Sequence, residues 1–369
     1  MNTTTTIQTP SLDRFIIPGN MKAAVLHGTD QFGVEDIPVP EIDNASALMK
    51  VEAACICGSD VRILHHGNPR VTPPTITGHE AAGVIVKVGA RVKNLQVGDR
   101  VSIGADVPCG ECDWCRNGLA NNCEINFAVG YQIPGAFAEY MKIPELICRE
   151  GPITKIANHL SYEEAALAEP LACAINGLEL VNMSLGKTVV IIGMGPIGCM
   201  MIDLARTMGA AKVICIQRSK LRLDIAMQYG ADIYMASDDP GLIRSVLNAT
   251  GGRGADAVIT TCGSVEAHEQ AVEMVAHRGY VNFFGGLGKD VRPMSLYSNK
   301  VHYRESFITG SHGSVPRQHK IAVKLLENGR VRVKPLITHR FPLTQIKAAF
   351  DVMESRQGMK IAIVPPPKQ

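Results

Sequence analysis

This sequence predicts an α/β fold in two parts, one β-rich and one built on a doubly wound parallel sheet. Three observations predict it. An apolar, β-branched run at 188–192 ends in the pattern Gly193-x-Gly195-x-x-Gly198 and leads into a helical segment. From about 185 onward, strand and helix patterns alternate, as a parallel sheet with crossover helices requires. Before that point the chain reads as short alternating strands broken by glycine and cysteine clusters. With 369 residues there is room for two real cores.

Composition narrows the class. The formal net charge is +2 and neither sign forms long blocks, so nothing suggests a nucleic-acid partner. No apolar run reaches about 18 residues, so no transmembrane helix and no membrane partner is expected. Residues 1–20 open with four threonines in a row after Asn2 and lack the pattern of a signal peptide. They read as an N-terminal extension outside the fold. Eleven cysteines, an odd number, point to metal sites and free thiols in a reducing, cytoplasmic setting.

In chain order, strand patterns at 21–26 and 48–54 precede the first chemical cluster, Cys57-Gly58-Ser59-Asp60. Gly78-His79-Glu80 follows. Thiolate and imidazole are good zinc ligands and a carboxylate can join them; the alternative is a buried structural cysteine and a surface histidine. Alternating strands at 83–89 and 97–103 lead to Cys109-x2-Cys112-x2-Cys115-x7-Cys123. Four thiolates so spaced fit a closed, tetrahedral structural zinc site, against an iron–sulfur cluster or two disulfides. A further strand follows 135–140. Ser161 with Glu164 three residues on reads as a capping box that starts a helix and delivers Glu169-Pro170. Glu169 is then either a site acid or half of a surface salt bridge.

The α/β part holds strands at 188–192, 212–216, 256–260 and 280–284, with helices near 198–208, 220–229, 240–248 and 265–276. Each glycine of the pattern has a mechanical reason. Gly193 allows the tight turn, Gly195 lets backbone approach a pyrophosphate, and Gly198 permits close helix packing. Pro196 suits a first helical turn and Ile197 follows it. The alternative is a glycine turn of any α/β domain. Gln217 ends the second strand, where an NAD-binding domain places an acid against the ribose. Gln217 carries no charge to repel a 2′-phosphate, and Arg218 and Ser219 are suitable donors. The expected cofactor is therefore NADP. In the alternative, Gln217 binds the ribose of NAD and Arg218 and Lys220 are a solvated helix start. Helices near 318–327 and 343–353 and a strand at 360–364 complete the chain.

Taken together, CGSD, GHE, the four-cysteine lobe, AFAEY, EPLAC and GMGPIG, in that order, make residues 21–367 resemble the zinc-dependent medium-chain dehydrogenases/reductases. The nearest likeness is to the sorbitol (iditol) dehydrogenases and related polyol and threonine dehydrogenases. The resemblance implies a GroES-like catalytic domain at 21–170 and 310–369, with a Rossmann dinucleotide-binding domain at 171–309 and the active site between them. It implies Cys57, His79 and Glu169 as ligands of a catalytic zinc, with Glu80 a ligand or close neighbour. Ser59 would stand at the substrate hydroxyl and start a proton relay. Arg222, Gly286, Leu287, Ser311 and His312 would lie along the cofactor. The implied activity is reversible oxidation of a secondary alcohol in a small polyol or sugar-like substrate, by hydride transfer to NADP or NAD. A homodimer or homotetramer is expected, paired through the strand at 280–284. Competing expectations are a threonine-type amino-acid dehydrogenase and a non-catalytic, zinc-stapled binding protein. The sequence departs from the polyol pattern at Arg62, Ile63 and Gly313, where histidine, an aromatic residue and arginine are usual. Tyr131, His65 and His66 are candidate substrate groups, each with a packing or surface role as its alternative.

Overall fold

The apolar run before the glycine pattern forms the strand Thr188–Ile192, with four of its five side chains buried, in a computed structural model that describes residues 15–288 and 290–366. Six strands make one parallel sheet. Their order is Ile233–Ala236, Lys212–Gln217, Thr188–Ile192, Ala255–Thr260, Val275–Phe283 and Phe307–Gly310. The order reverses beside Thr188–Ile192, so a crevice opens at the carboxyl ends of that strand and Ala255–Thr260. In the three central strands Val189–Ile192, Val213–Ile216 and Ala257–Thr260 are all buried, because both faces of the sheet are covered there. Val189 and Ile191 face a core shared with the helices Ala168–Leu180 and Pro196–Thr207, while Val190 and Ile192 face the helices Leu242–Ala249 and Val265–Met274.

The β-rich part is a seven-stranded sheet. Its path runs Ile153–Lys155, Arg100–Ile103, Glu80–Val88, Ala47–Cys55, Lys360–Ile363 and Ile337–Phe341, with Tyr140–Ile143 also paired to Ala47–Cys55. A three-stranded sheet of Gln31–Pro38, Asn20–Gly28 and Thr75–Ile76 packs against it through Met21, Ala23 and Val25, which share a buried cluster with Leu48, Val84 and Val86. Ala362 pairs with Cys55, so the end of the chain closes the sheet that its beginning opened. The chain leaves this sheet, builds the parallel one and returns.

The two parts share a core. Ala53, Cys55, Ala82 and Ala362 of the first sheet belong to the same buried cluster as Val189, Ile191 and Met201 of the second. The helix Ala168–Leu180, buried at Leu171, Ala172, Ile175 and Leu178, joins them.

Three expectations change in three dimensions. Ser161 caps only the short helix Tyr162–Ala166, accepting from the Glu164 amide at 3.2 Å. A separate helix, Ala168–Leu180, then begins, with Pro170 in its first turn, where a missing N–H costs nothing. The strand expected at 280–284 runs Val275–Phe283 and is flanked on both sides, so it offers no free edge for pairing between copies. The edge on this side of the sheet belongs to Phe307–Gly310, where Phe307 and Ile308 are exposed. Of the expected extension, residues 1–14 lie outside the described residues. Residues 15–20 belong to the fold, because Phe15 and Ile17 pack against the cluster around Met21 and Val25.

Candidate active site and metal centres

Strand register explains how Cys57 and His79 meet. Cys55 is the partner of Glu80 on adjacent antiparallel strands. Cys57 lies just past the end of one strand and His79 just before the start of the next, so both emerge at the same end of the sheet. Ligand atoms of Cys57, His79 and Glu80 lie within 4.8 Å of one another. His79 is buried, which removes the surface-histidine alternative. Ser59 Oγ stands 3.4 Å from His79 Nε2.

Asp60, buried one residue further on, organises this corner. Its Oδ2 accepts the Cys57 amide at 2.9 Å and its Oδ1 the Gly78 amide at 3.3 Å. His79 Nδ1 faces the same Oδ1 at 3.5 Å, too far for a good hydrogen bond, and has no other partner. A carboxylate behind one ring nitrogen orients the other nitrogen toward an ion.

The acids of the site are crowded. Glu80 is fully buried against the Lys360 ammonium, which comes from the last strand. Glu169, only 5 % exposed, sits in the first turn of its helix, so it is no surface salt bridge. It stands outside the Cys57–His79–Glu80 group but near enough for the charges of His79 and Cys57 to act on it. Cys173 Sγ contacts its Oε1 at 3.6 Å, one helical turn on. Burial pushes both Glu80 and Glu169 up to about 7, although Lys360 pulls against it at Glu80 and His79 at Glu169. At Cys57 burial favours the thiol, but His79 wins and shifts it toward thiolate. A buried thiolate, an imidazole and carboxylates facing one ammonium make a donor set short of positive charge. That set fits a divalent cation such as zinc.

The second cysteine group is also assembled. The sulfurs of Cys109, Cys112, Cys115 and Cys123 come together, with Cys109 to Cys115 at 3.9 Å and Cys112 to Cys123 at 4.0 Å. Four thiolates about 2.3 Å from a central zinc stand about 3.8 Å apart. All eleven cysteines are free, so the disulfide alternative falls. Backbone amides of Cys109, Glu111 and Cys112 point at these sulfurs at 3.3–3.4 Å. The Glu124 amide, with help from Cys115, brings Cys112 down to about 6.

Around the first cluster, the Tyr131 ring lies 5.9 Å from the His79 ring, and the Arg70 guanidinium lies over the Tyr131 ring, 5.2 Å from its centre. Asp106 accepts the Ser314 amide at 2.8 Å and feels the charges of Arg70 and His79. A Cβ on Gly313 would fall 2.3 Å from Asp106, and φ there is +57°. An arginine at 313 therefore has no room in this backbone. His65 is not in the site: it bridges Asp30 and Glu354 on the surface, and His66 is exposed beside it. Arg62 is exposed and Ile63 is a core residue.

The crevice of the parallel sheet holds a cavity of about 720 Å³, lined by Gly193, Gly195, Gln217, Arg218 and Arg222 among others. Gly193 has φ +104°, and a Cβ on Gly198 would fall 2.0 Å from the Gly193 carbonyl. A Cβ on Gly195 would meet nothing nearer than the Arg222 guanidinium at 3.8 Å, so this glycine keeps open space beside the backbone. Gln217 Oε1 accepts the Met194 amide at 2.8 Å and is thereby committed to the glycine loop. Pro196, Ile197, Ser219, Gly286, Leu287, Ser311 and His312 are not in the cavity lining. Pro196 and Ile197 open the helix Pro196–Thr207, and Ser219 precedes the helix Lys220–Met227. The Gly286 carbonyl crowds Gly263, which does line the cavity. Ser311 donates to Asn282 Oδ1 at 3.1 Å, and the His312 carbonyl accepts from Asn121 and Asn176.

Sequence reasoning named Asp60 only as part of a motif and did not single out Lys360, Arg70, Asp106 or Arg356. For Asp60 a signal existed, an acid three residues after a candidate ligand cysteine. For Lys360 none did, since it lies 280 residues from Glu80.

Comparison with known proteins gives the family. Residues 43–152 match the family described as alcohol dehydrogenase GroES-like domain, and residues 196–328 the family described as zinc-binding dehydrogenase. An L-threonine 3-dehydrogenase of Bacillus licheniformis is 33 % identical, over 94 % of this chain and 99 % of its own. A sorbitol dehydrogenase of Bombyx mori is 35 % identical, over 92 % of this chain and 97 % of its own. A solved structure from Sinorhizobium meliloti 1021, bound to NADP and assigned to the zinc-binding dehydrogenases, superposes with a TM-score of 0.87 at 29 % identity, covering 94 % of this chain and 100 % of that one. The chain accordingly belongs to the zinc-dependent medium-chain dehydrogenases/reductases, in the branch of the sorbitol and related polyol dehydrogenases, and is an alcohol-oxidising enzyme.

Proposed function

We propose that the enzyme reversibly oxidises a secondary alcohol of a polyol or sugar-like substrate and prefers NADP. In this reading Cys57, His79 and Glu169 hold a catalytic zinc with Glu80 beside them, and Cys109, Cys112, Cys115 and Cys123 hold a structural one. The observation that carries it is the buried, cation-deficient cluster at the junction of the two parts, with Glu169 on the helix that joins them.

When bound, the zinc supplies a Lewis acid to the substrate oxygen and the nicotinamide a hydride acceptor. The chain does the rest. Asp60 holds the Cys57 and Gly78 amides and sets its carboxylate behind the His79 ring, and Lys360 holds the Glu80 carboxylate in place. Ser59 Oγ, beside His79 Nε2, takes the hydroxyl proton outward. Glu169, buried in the first turn of the helix that joins the two parts, supplies a carboxylate on the other side of the cluster from the β-rich sheet. Tyr131 and Asp106 stand where they can orient a polar substrate.

The NADP preference rests on Gln217 and Arg218. Gln217 has no charge, and its acceptor oxygen faces the Met194 amide instead of a ribose. Arg218 lines the cavity at the same end. That a structural relative binds NADP supports the same choice. Pairing of copies through the exposed edge Phe307–Gly310 would make a homo-oligomer. Eleven free cysteines suit a reducing, cytoplasmic compartment, and no helix among the described residues is long and apolar enough to cross a membrane.

A second reading, oxidation of a β-hydroxy amino acid, is favoured by one observation. Asp106 and Arg70 set opposite charges near the cluster, where an ammonium and a carboxylate could be read. Absorbance at 340 nm separates the readings, using zinc-loaded enzyme with polyols, inositols, 2,3-diols and L-threonine and both cofactors. Turnover of a polyol or diol with NADP is expected. Turnover of L-threonine alone selects the second reading, and silence with every alcohol and ketone leaves a binding protein.

A further inference from the structure

Arg356 lines the same cavity as Arg218 and Arg222, yet it comes from the other part of the molecule. It stands just past the helix Ile346–Glu354 and four residues before Lys360–Ile363, a strand of the β-rich sheet. Its φ is +57°, a left-handed conformation that side chains with a Cβ seldom adopt. The turn it makes puts it in the lining of the crevice that Gln217, Arg218 and Arg222 also line, near enough for its charge to act on Arg222.

The three arginines have no obvious use for one another. Among the described residues none of them forms an ion pair or a hydrogen bond with a side chain. Arg222 is partly buried; burial and then the charge of Arg356 hold its guanidinium below the usual value, and no carboxylate offsets them. Two acids also line the cavity, Asp238 and Glu266. Glu266 is already engaged by Ser264 at 2.8 Å and Arg292 at 3.3 Å. The cavity therefore keeps a net positive charge, three guanidinium groups against Asp238 and a Glu266 that Arg292 already shares.

We propose that Arg356 is a third guanidinium ligand of the cofactor's 2′-phosphate, with Arg218 and Arg222, so that the β-rich part helps to set cofactor specificity. This rests on the NADP reading above. A phosphate dianion takes several forked donors at once, and it removes the repulsion between Arg222 and Arg356 by standing between them. A cofactor without that phosphate leaves Arg356 with nothing to bind. Contact with both parts of the chain also ties cofactor binding to their relative position.

Calorimetry on the full-length, zinc-loaded protein tests this with adenosine 2′,5′-bisphosphate and 5′-AMP as probes. Wild type is expected to bind the bisphosphate at least about tenfold more tightly than 5′-AMP. Arg356→Ala should weaken the bisphosphate about tenfold and leave 5′-AMP within about twofold, with Arg356→Lys between. Circular dichroism and zinc content of both variants establish that they are folded. If wild type prefers the bisphosphate while Arg356→Ala binds it unchanged, or weakens both probes equally, the role of Arg356 is refuted and the NADP reading survives. If wild type shows no preference between the probes, the NADP reading itself fails and takes this inference with it.

Discussion

His319 ties the helix Pro316–Glu327 to the β-rich sheet, and its titration should be visible in the stability of the whole enzyme. The ring is fully buried. Ser102 Oγ, 3.2 Å from Nε2, already donates its hydrogen to the Ala165 carbonyl at 2.7 Å, so it can only accept from the ring. The proton therefore sits on Nε2, and Nδ1 accepts from Thr154 Oγ1 at 3.0 Å. Burial brings the imidazole from 6.5 down to about 4. Above pH 6.5 the ring is neutral in both folded and unfolded chains, and its stabilising contribution is complete. As the pH falls below 6.5 the unfolded chain takes up a proton that the folded chain refuses, so stability is lost down to about pH 4. At about 1.4 kcal/mol per pH unit, the loss reaches about 2.5 kcal/mol by pH 4.5 and about 3.5 kcal/mol in full. Urea unfolding of wild type and His319→Gln between pH 4.5 and 7.5 reads this directly. The difference between the two should shrink by about 2 kcal/mol or more as the pH falls. Parallel profiles across that range would refute the neutral, buried assignment.

Metal analysis should find two zinc ions per subunit. Cys57→Ser should abolish turnover and leave a folded chain with one zinc, whereas Cys112→Ser should lower stability, because a structural metal contributes folding free energy directly. One zinc in fully active enzyme would overturn the assignment. Glu169→Ala should lower kcat far more than it lowers Tm; normal kinetics with a lowered Tm would make Glu169 a packing residue. Arg218→Ala should raise the KM for NADP about tenfold with little effect on NAD. A wild-type kcat/KM for NAD equal to or above that for NADP would leave Gln217 as a ribose contact only.

Wherever function depends on short-range chemistry, it was legible in the chain. The glycine pattern, the four-cysteine spacing and the two ligand clusters each sit within a few residues, and their meaning follows from backbone freedom and donor type. The alternation of strand and helix from 185 onward carried the parallel sheet in the same way. What escaped was set by register and packing between distant segments. The pairing of Cys55 with Glu80 is what brings Cys57 beside His79. The helix break at Leu167 buries Glu169 instead of leaving it on a surface, and no local pattern distinguishes those outcomes. Phe307–Gly310, not the strand before it, became the sheet edge, because strand order is a property of the assembled sheet. Lys360 meets Glu80, and Arg356 reaches the cofactor crevice, because the end of the chain folds back onto the sheet that its beginning started. A residue's own neighbours in sequence fix its chemistry; only the closed fold decides which charges it must face in a place that water cannot reach.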